Sequence, residues 1–194
     1  MIIVFEGIDG SGKDTQIGML AEYLELHGKT FARFKFPSEK ARLALSHLNG
    51  ASAVEPRDLF MDFARDIESS TPQLLEAAKT HDVVIVDRYI FSTIAYQGVP
   101  LGFDAALSLA SKFRLVKPNL VLFLEISPEK AFARKNAQKT PDRFESDLGF
   151  QKQVAKNYGK LAGKCHGAVR WAAIGASESP LAVHRKIIKE MVQE

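Results

Sequence analysis

Cysteine is nearly absent from the chain. Cys165 is the only one in 194 residues, so no internal disulfide can form, and its neighbour His166 lacks the further ligands a zinc site needs. Charge of one sign is not in excess either. With 26 basic against 23 acidic residues the net charge is +3, without a block of like charges, so no nucleic-acid partner is expected. Apolar runs stop short of the roughly 20 residues that a membrane-spanning helix needs. The chain begins on a strand, with no basic and then apolar leader. No membrane association and a cytoplasmic location are the expectations. Repeats, low-complexity tracts and linkers are missing too, and 46% apolar residues suffice for one core. A single domain over 1–194 is expected.

What the sequence does contain is Gly7-Ile8-Asp9-Gly10-Ser11-Gly12-Lys13, placed between the apolar run Ile2–Phe5 and an amphipathic segment. This is the setting of a phosphate-cradling P-loop. Its glycines let backbone N–H groups converge on phosphates, the helix offers its positive end, and Lys13 adds an ammonium. The position after the lysine normally carries a Ser or Thr for Mg²⁺; here it is Asp14, followed by Thr15.

Further strand-like runs occur at Thr30–Phe36, Val83–Val86, Leu120–Leu124 and Val169–Ile174, separated by segments of helical period. Ile17, Leu20, Ala21 and Leu24 mark one helix, ended by Gly28; Ala106, Leu109, Ala110, Phe113 and Val116 mark another. Strands as apolar as Val83-Val84-Ile85-Val86 suit the middle of a parallel sheet. The fold class expected is α/β, a three-layer α/β/α sandwich with a mainly parallel five-stranded sheet. Glu6, Pro37, Asp87 and Glu125, each just past a strand, should rim one crevice. In it, Asp87 would order Mg²⁺ or its waters, and Arg88 would hold a phosphate with its planar fork. The polar stretch around Asn136–Asp142, bracketed by Arg134, Lys135, Lys139 and Arg143, reads as a mobile lid over approximately 134–145.

Four pieces in this order and spacing resemble the thymidylate kinases: Phe5 to Lys13; Asp87-Arg88-Tyr89; Ser92-Thr93 with Ala95-Tyr96-Gln97-Gly98; and Asp142-Arg143-Phe144-Glu145. The resemblance extends to about Leu161. It implies a P-loop kinase fold, ATP as co-substrate with Mg²⁺, thymidylate as acceptor, and a homodimer, to which Ala106–Val116 would contribute. Gly7 to Thr15 together with Arg134 would then bind ATP. Asp9 would approach the sugar 3′-hydroxyl and acceptor phosphate, and Arg88 would hold that phosphate, assisted by Arg65. Ser92, Thr93 and Gln97 would read the thymine edge, with Tyr96 under the deoxyribose, and Phe36 would also contact the acceptor substrate. Where the family usually has a base-stacking Phe, this chain has Met61, with Phe60 and Phe63 beside it. Lys40 or Arg42 would replace an arginine that many members have after the Phe-Pro pair.

Some members of the family carry a basic residue inside the loop; Asp9-Gly10-Ser11 has none. The sequence resembles the type whose lid supplies the transition-state cation, with Arg143 and Arg134 as candidates. Asp9, Lys13, Arg88 and Arg143 are thus the expected catalytic set, and Asp87, Asp14 and Thr15 the expected metal contacts. Asp14 gains roughly 0.3–1 kcal/mol from the helix dipole. Against that, a phosphate charge about 6 Å away costs it roughly 3 kcal/mol at an effective dielectric near 20. Either Mg²⁺ or Lys13 offsets that charge, with Thr15 supplying a hydroxyl nearby, or Asp14 weakens ATP and leaves a nucleotide-binding regulator with little turnover; another monophosphate kinase and a nucleoside kinase are further alternatives to the thymidylate reading.

Overall fold

The structure, a computed structural model, describes residues 1–50, 53–136, 147–164 and 170–192. Five strands, β1 (Ile2–Glu6), β2 (Phe31–Lys35), β3 (Val83–Asp87), β4 (Leu120–Glu125) and β5 (Arg170–Gly175), form one sheet in the order β2-β3-β1-β4-β5. Every pairing is parallel, with Phe5 opposite Asp87 and Glu6 opposite Phe123. The expected strands and the expected fold class agree with this sheet to within a residue or two at each end.

The central strand carries the glycine loop. From β1 the chain goes first to β2 at one edge of the sheet, returns to β3 beside β1, and then crosses to β4 and β5 on the other side, so the loop lies where the strand order reverses. Open α/β sheets hold ligands at that switch point. Ile3, Val4 and Phe5 have no exposed surface, nor have Val84, Val86 and Leu120 to Leu122. Unbroken apolar strands of this kind require helices on both faces.

The helices supply that cover. They are α1 (Lys13–Leu26), α2 (Arg42–Leu48), α3 (Pro56–Ser69), α4 (Thr71–Thr80), α5 (Ile90–Leu101), α6 (Phe103–Ala110), α7 (Pro128–Asn136), α8 (Leu148–Lys164) and α9 (Pro180–Val192). α1 packs with α9, while α5 is the hub for α3, α6 and α8. α1 buries Ile17, Leu20, Ala21 and Leu24 as its period predicts. It stops where Gly28 takes a φ of +64° and donates to Glu25.

One helix is shorter than its apolar spacing suggests. α6 ends at Ala110, where Lys112 and Phe113 donate to carbonyls three residues back, tightening the last turn. Pro118 restricts Lys117 to extended backbone, so no helix can run on toward it. Phe113 and Val116 still pack against the core from irregular chain. Ala106 and Phe103 are already buried within this chain, which leaves the stretch less apolar surface for a dimer than expected. Of the expected lid, 134–136 lie at the end of α7; 137–146, with Lys139 and Arg143, lie outside the described residues, as do Cys165 and His166.

Candidate active site

The loop after β1 is shaped by what its glycines allow. Gly10 has a φ of +79°, and a Cβ on it would lie 2.4 Å from the Ala131 carbonyl oxygen of α7. The loop tip therefore touches α7 with no room for any side chain. Lys13 turns back over the loop and donates to the carbonyls of Gly7 and Ile8 at 3.0 and 3.2 Å. Burial, reinforced by the charge of Arg88, lowers the Lys13 ammonium to about 8.

Asp9 faces Arg88 and Tyr96. The Arg88 guanidinium pairs with Asp9 Oδ1, and Tyr96 donates to Oδ2 at 2.8 Å. Burial pushes the Asp9 carboxyl up, but the charges of Arg88 and Lys13 outweigh it and hold the group at about 2. Asp9 is thus a fixed carboxylate rather than a proton acceptor at neutral pH. The guanidinium also lies 5.3 Å from the centre of the Tyr96 ring, within cation–π range.

Two cavities meet at this pair. One, of about 200 Å³, is mainly apolar and takes its walls from Phe36, Pro37, Leu59, Phe63, Ile67 and Tyr89, with Ser92, Thr93, Tyr96 and Gln97 from α5. The other, of about 510 Å³, is polar; it runs over Gly10 to Gln16 past Lys35 and Asp87 to Arg134, Glu178 and Pro180. Among the described residues their linings have only Asp9 and Arg88 in common.

Several expected residues stand elsewhere. Met61 and Arg65 do not line the smaller cavity: α3 turns Leu59, Phe63 and Ile67 to it, while Met61 packs partly buried on the main core and Arg65 is exposed. The phase of α3 follows from its acids. Asp62 accepts the Ala44 N–H at 2.9 Å, and buried Asp66 accepts the Ser38 N–H and hydroxyl at 2.6 and 2.5 Å. Ser92 does line the cavity, but its hydroxyl is engaged by Glu6 at 2.5 Å beneath the floor. Lys40 and Arg42 are exposed and line neither cavity.

The expected rim is only partly a rim. Pro37 and Asp87 line cavities, Glu125 lies outside both, and Glu6 has no exposed surface. Burial raises the carboxyl of Glu6, which is surrounded by donors from Tyr89, Ser92 and Tyr158. This group was legible only as an acid closing an apolar strand, a place where a charge must be paired.

Asp14 is exposed and lies 3.7 Å from Lys35 Nζ, which also pairs with Asp87 Oδ2 at 3.2 Å. Lys35 is thus a cation beside Asp14 that the sequence reading, which named Mg²⁺ or Lys13, did not include. Asp87 Oδ1 is buried with no hydrogen-bond partner among the described residues, and Asp14 and Thr15 line the same polar cavity as Asp87. Among the described residues no group of three or more His, Cys, Asp or Glu could enclose a metal unaided. One or two carboxylates completed by substrate phosphates is, however, the usual arrangement for Mg²⁺, and these oxygen donors fit it. Arg134 donates to the Ala176 carbonyl at 2.8 Å, which fixes its guanidinium on the wall of the same cavity. No described helix is long and apolar enough to cross a membrane.

Comparison with known proteins gives the same picture. The family model described as thymidylate kinase matches residues 5–187. The thymidylate kinase of Chlorobaculum tepidum is 34% identical, the match covering 98% of this chain and 96% of that protein. The thymidylate kinase of Solidesulfovibrio magneticus is 33% identical, with 94% of each covered. That of Arabidopsis thaliana is 31% identical over 96% of this chain and 68% of the plant protein.

Proposed function

The chain belongs to the thymidylate kinase family, and on that footing we propose that it transfers the γ-phosphoryl group of ATP to thymidylate, giving dTDP and ADP. The observation that carries the reading is the pair of cavities that share Asp9 and Arg88 in their linings. A nucleotide kinase needs two nucleotide sites that meet at their phosphates, one for each substrate.

Thymidylate takes the apolar cavity. Its base lies among Phe36, Phe63 and Ile67, with Thr93 and Gln97 available for hydrogen bonds to the thymine edge and Tyr96 under the sugar. Its phosphate meets Arg88. ATP takes the polar cavity with its phosphates over Gly10 to Lys13 and its base end toward Arg134 and Pro180. Mg²⁺ would be held by Asp87, with Asp14 and Thr15 nearby, and when bound it neutralises charge on the phosphate oxygens.

The acceptor phosphate is already ionised, so the attacking oxygen needs no strong base. Asp9 has another task. Its carboxylate stays charged, pins the Arg88 guanidinium, and accepts from Tyr96. Lys13 follows the charge that moves to the leaving phosphate, and Arg143 supplies the lid cation, with Arg134 held at the base end of the donor. The family resemblance supports a homodimer in the cytoplasm; sedimentation velocity and cell fractionation test those two points.

A coupled assay over a panel of nucleosides and monophosphates tests the activity. Turnover is expected with thymidylate and not with thymidine, because Arg88 would have no phosphate to hold. Turnover with another monophosphate but not with thymidylate moves the acceptor to a different base.

A further inference from the structure

Arg88 has a backbone that arginine rarely adopts. Its φ is +64°, in the left-handed region where a Cβ is crowded and which glycine tolerates best. Such a conformation persists only when its surroundings over-determine it, and it then aims a side chain where regular strand geometry would not. The surroundings here are two successive residues of β1. The Phe5 carbonyl accepts the Arg88 N–H at 3.0 Å, and Glu6 Oε1 accepts the next one, from Tyr89, at 2.9 Å.

Glu6 also caps α5 from a distant part of the chain. Tyr89, the residue before the helix, makes no side-chain cap. Glu6 Oε1 accepts the Ser92 N–H at 3.2 Å, so a carboxylate more than eighty positions away does what a local Ser or Asp usually does. Its other oxygen, Oε2, accepts the Ser92 hydroxyl at 2.5 Å and the Tyr158 hydroxyl at 2.8 Å. Four donors thus converge on one carboxylate with no exposed surface.

The network continues to the phosphate-binding fork. Arg88 Nη1 donates to the Ser92 hydroxyl at 3.3 Å, while the same hydroxyl is held by Glu6. Glu6 therefore holds the residue after Arg88 directly and, through the Ser92 hydroxyl, one arm of the guanidinium whose other arm pairs with Asp9. Tyr158 brings in α8, the helix that follows the lid segment in sequence. We infer that Glu6 is a positioning residue for the acceptor phosphate, which together with Tyr158 and Ser92 holds Arg88 in the one orientation that serves the transfer. The inference rests on the reading of Arg88 as the acceptor-phosphate arginine.

Only a carboxylate meets this demand. A glutamine of the same shape offers one accepting oxygen and an amide that faces hydroxyls already committed as donors. The Glu6→Gln protein, assayed whole, is compared with the unaltered one for binding of thymidylate and of thymidine by calorimetry, alongside KM for ATP. Expected is a loss of about tenfold in thymidylate affinity with kcat also reduced. Thymidine affinity and KM for ATP should stay within about twofold, because the base pocket and donor loop keep their own contacts. Tyr158→Phe removes a single donor and should give a loss of two- to threefold confined to thymidylate; it carries the test if Glu6→Gln does not fold. Equal losses for thymidine and thymidylate, or no loss for either, overturn the inference and leave Glu6 as general structural support. If the unaltered protein binds thymidylate no more tightly than thymidine, the underlying role of Arg88 fails, and this inference with it.

Discussion

Lys13 donates to two carbonyls of its own loop, and its ammonium is already lowered to about 8. Between about 8 and the ordinary value near 10.5, the unfolded chain keeps a proton that the folded one has released. This group's contribution to stability therefore rises with pH across that window, while its usefulness to an anionic donor falls. The expected outcome is that kcat/KM for ATP declines between pH 7 and 9, measured by initial rates. Lys13→Arg, whose charge persists, should flatten the decline even though the shape change lowers the maximum. Asp14 behaves differently because it is exposed. Its ion pair with Lys35 is worth about 0–1 kcal/mol, less than the roughly 3 kcal/mol of repulsion from a phosphate about 6 Å away. Asp14→Ser is expected to lower KM for ATP roughly three- to tenfold and change kcat by less than threefold. If the substitution instead created turnover in an inactive protein, the chain would be the regulator and not the enzyme.

α3 shows how an element's rotation decides which of its residues matter. The family resemblance sets Met61 where a base-stacking Phe usually stands, yet the helix presents Phe63 to the smaller cavity. Phe63→Ala is expected to raise KM for thymidylate about five- to tenfold, in keeping with the roughly 0.5–1.5 kcal/mol of an aromatic contact, with KM for ATP unchanged. Met61→Ala should act mainly on stability, by about 1–2 kcal/mol, since it fills the core only partly; urea unfolding and steady-state rates separate the two. The phase of α3 was not readable because Asp62 and Asp66 look like an exposed charged face under the i,i+4 rule. Their real partners, Ala44 N–H and Ser38, lie 18 and 28 residues away. The strands were readable for the opposite reason: an apolar run such as Val83 to Val86 has only one way to be buried in an α/β protein. The glycine loop and Asp87-Arg88 were also legible, since local spacing alone sets them at neighbouring strand ends. Glu6 and Lys35 were missed because their roles exist only once strands distant in sequence lie side by side.

At the scale of the molecule, one sheet runs beneath both cavities, and the two cavities share Asp9 and Arg88. One unfolding transition is therefore expected over 1–194, shifted upward by either nucleotide. A substrate at 100 times its Kd adds about 2.7 kcal/mol. At about 2–4 °C per kcal/mol for a chain of this size, that is a rise of roughly 5–10 °C in Tm by scanning calorimetry. Two separate transitions would show that the chain is not one cooperative unit. The contact between Gly10 and Ala131 sets a limit of another kind, on descent rather than on motion. A side chain at Gly10 would run into the α7 carbonyl at 2.4 Å, so no cation can enter the loop at that position while α7 stays in place. α7, which carries Arg134 and Lys135, would first have to retreat. Substitution at Gly10 is closed to descent for as long as that one contact at the loop tip is kept.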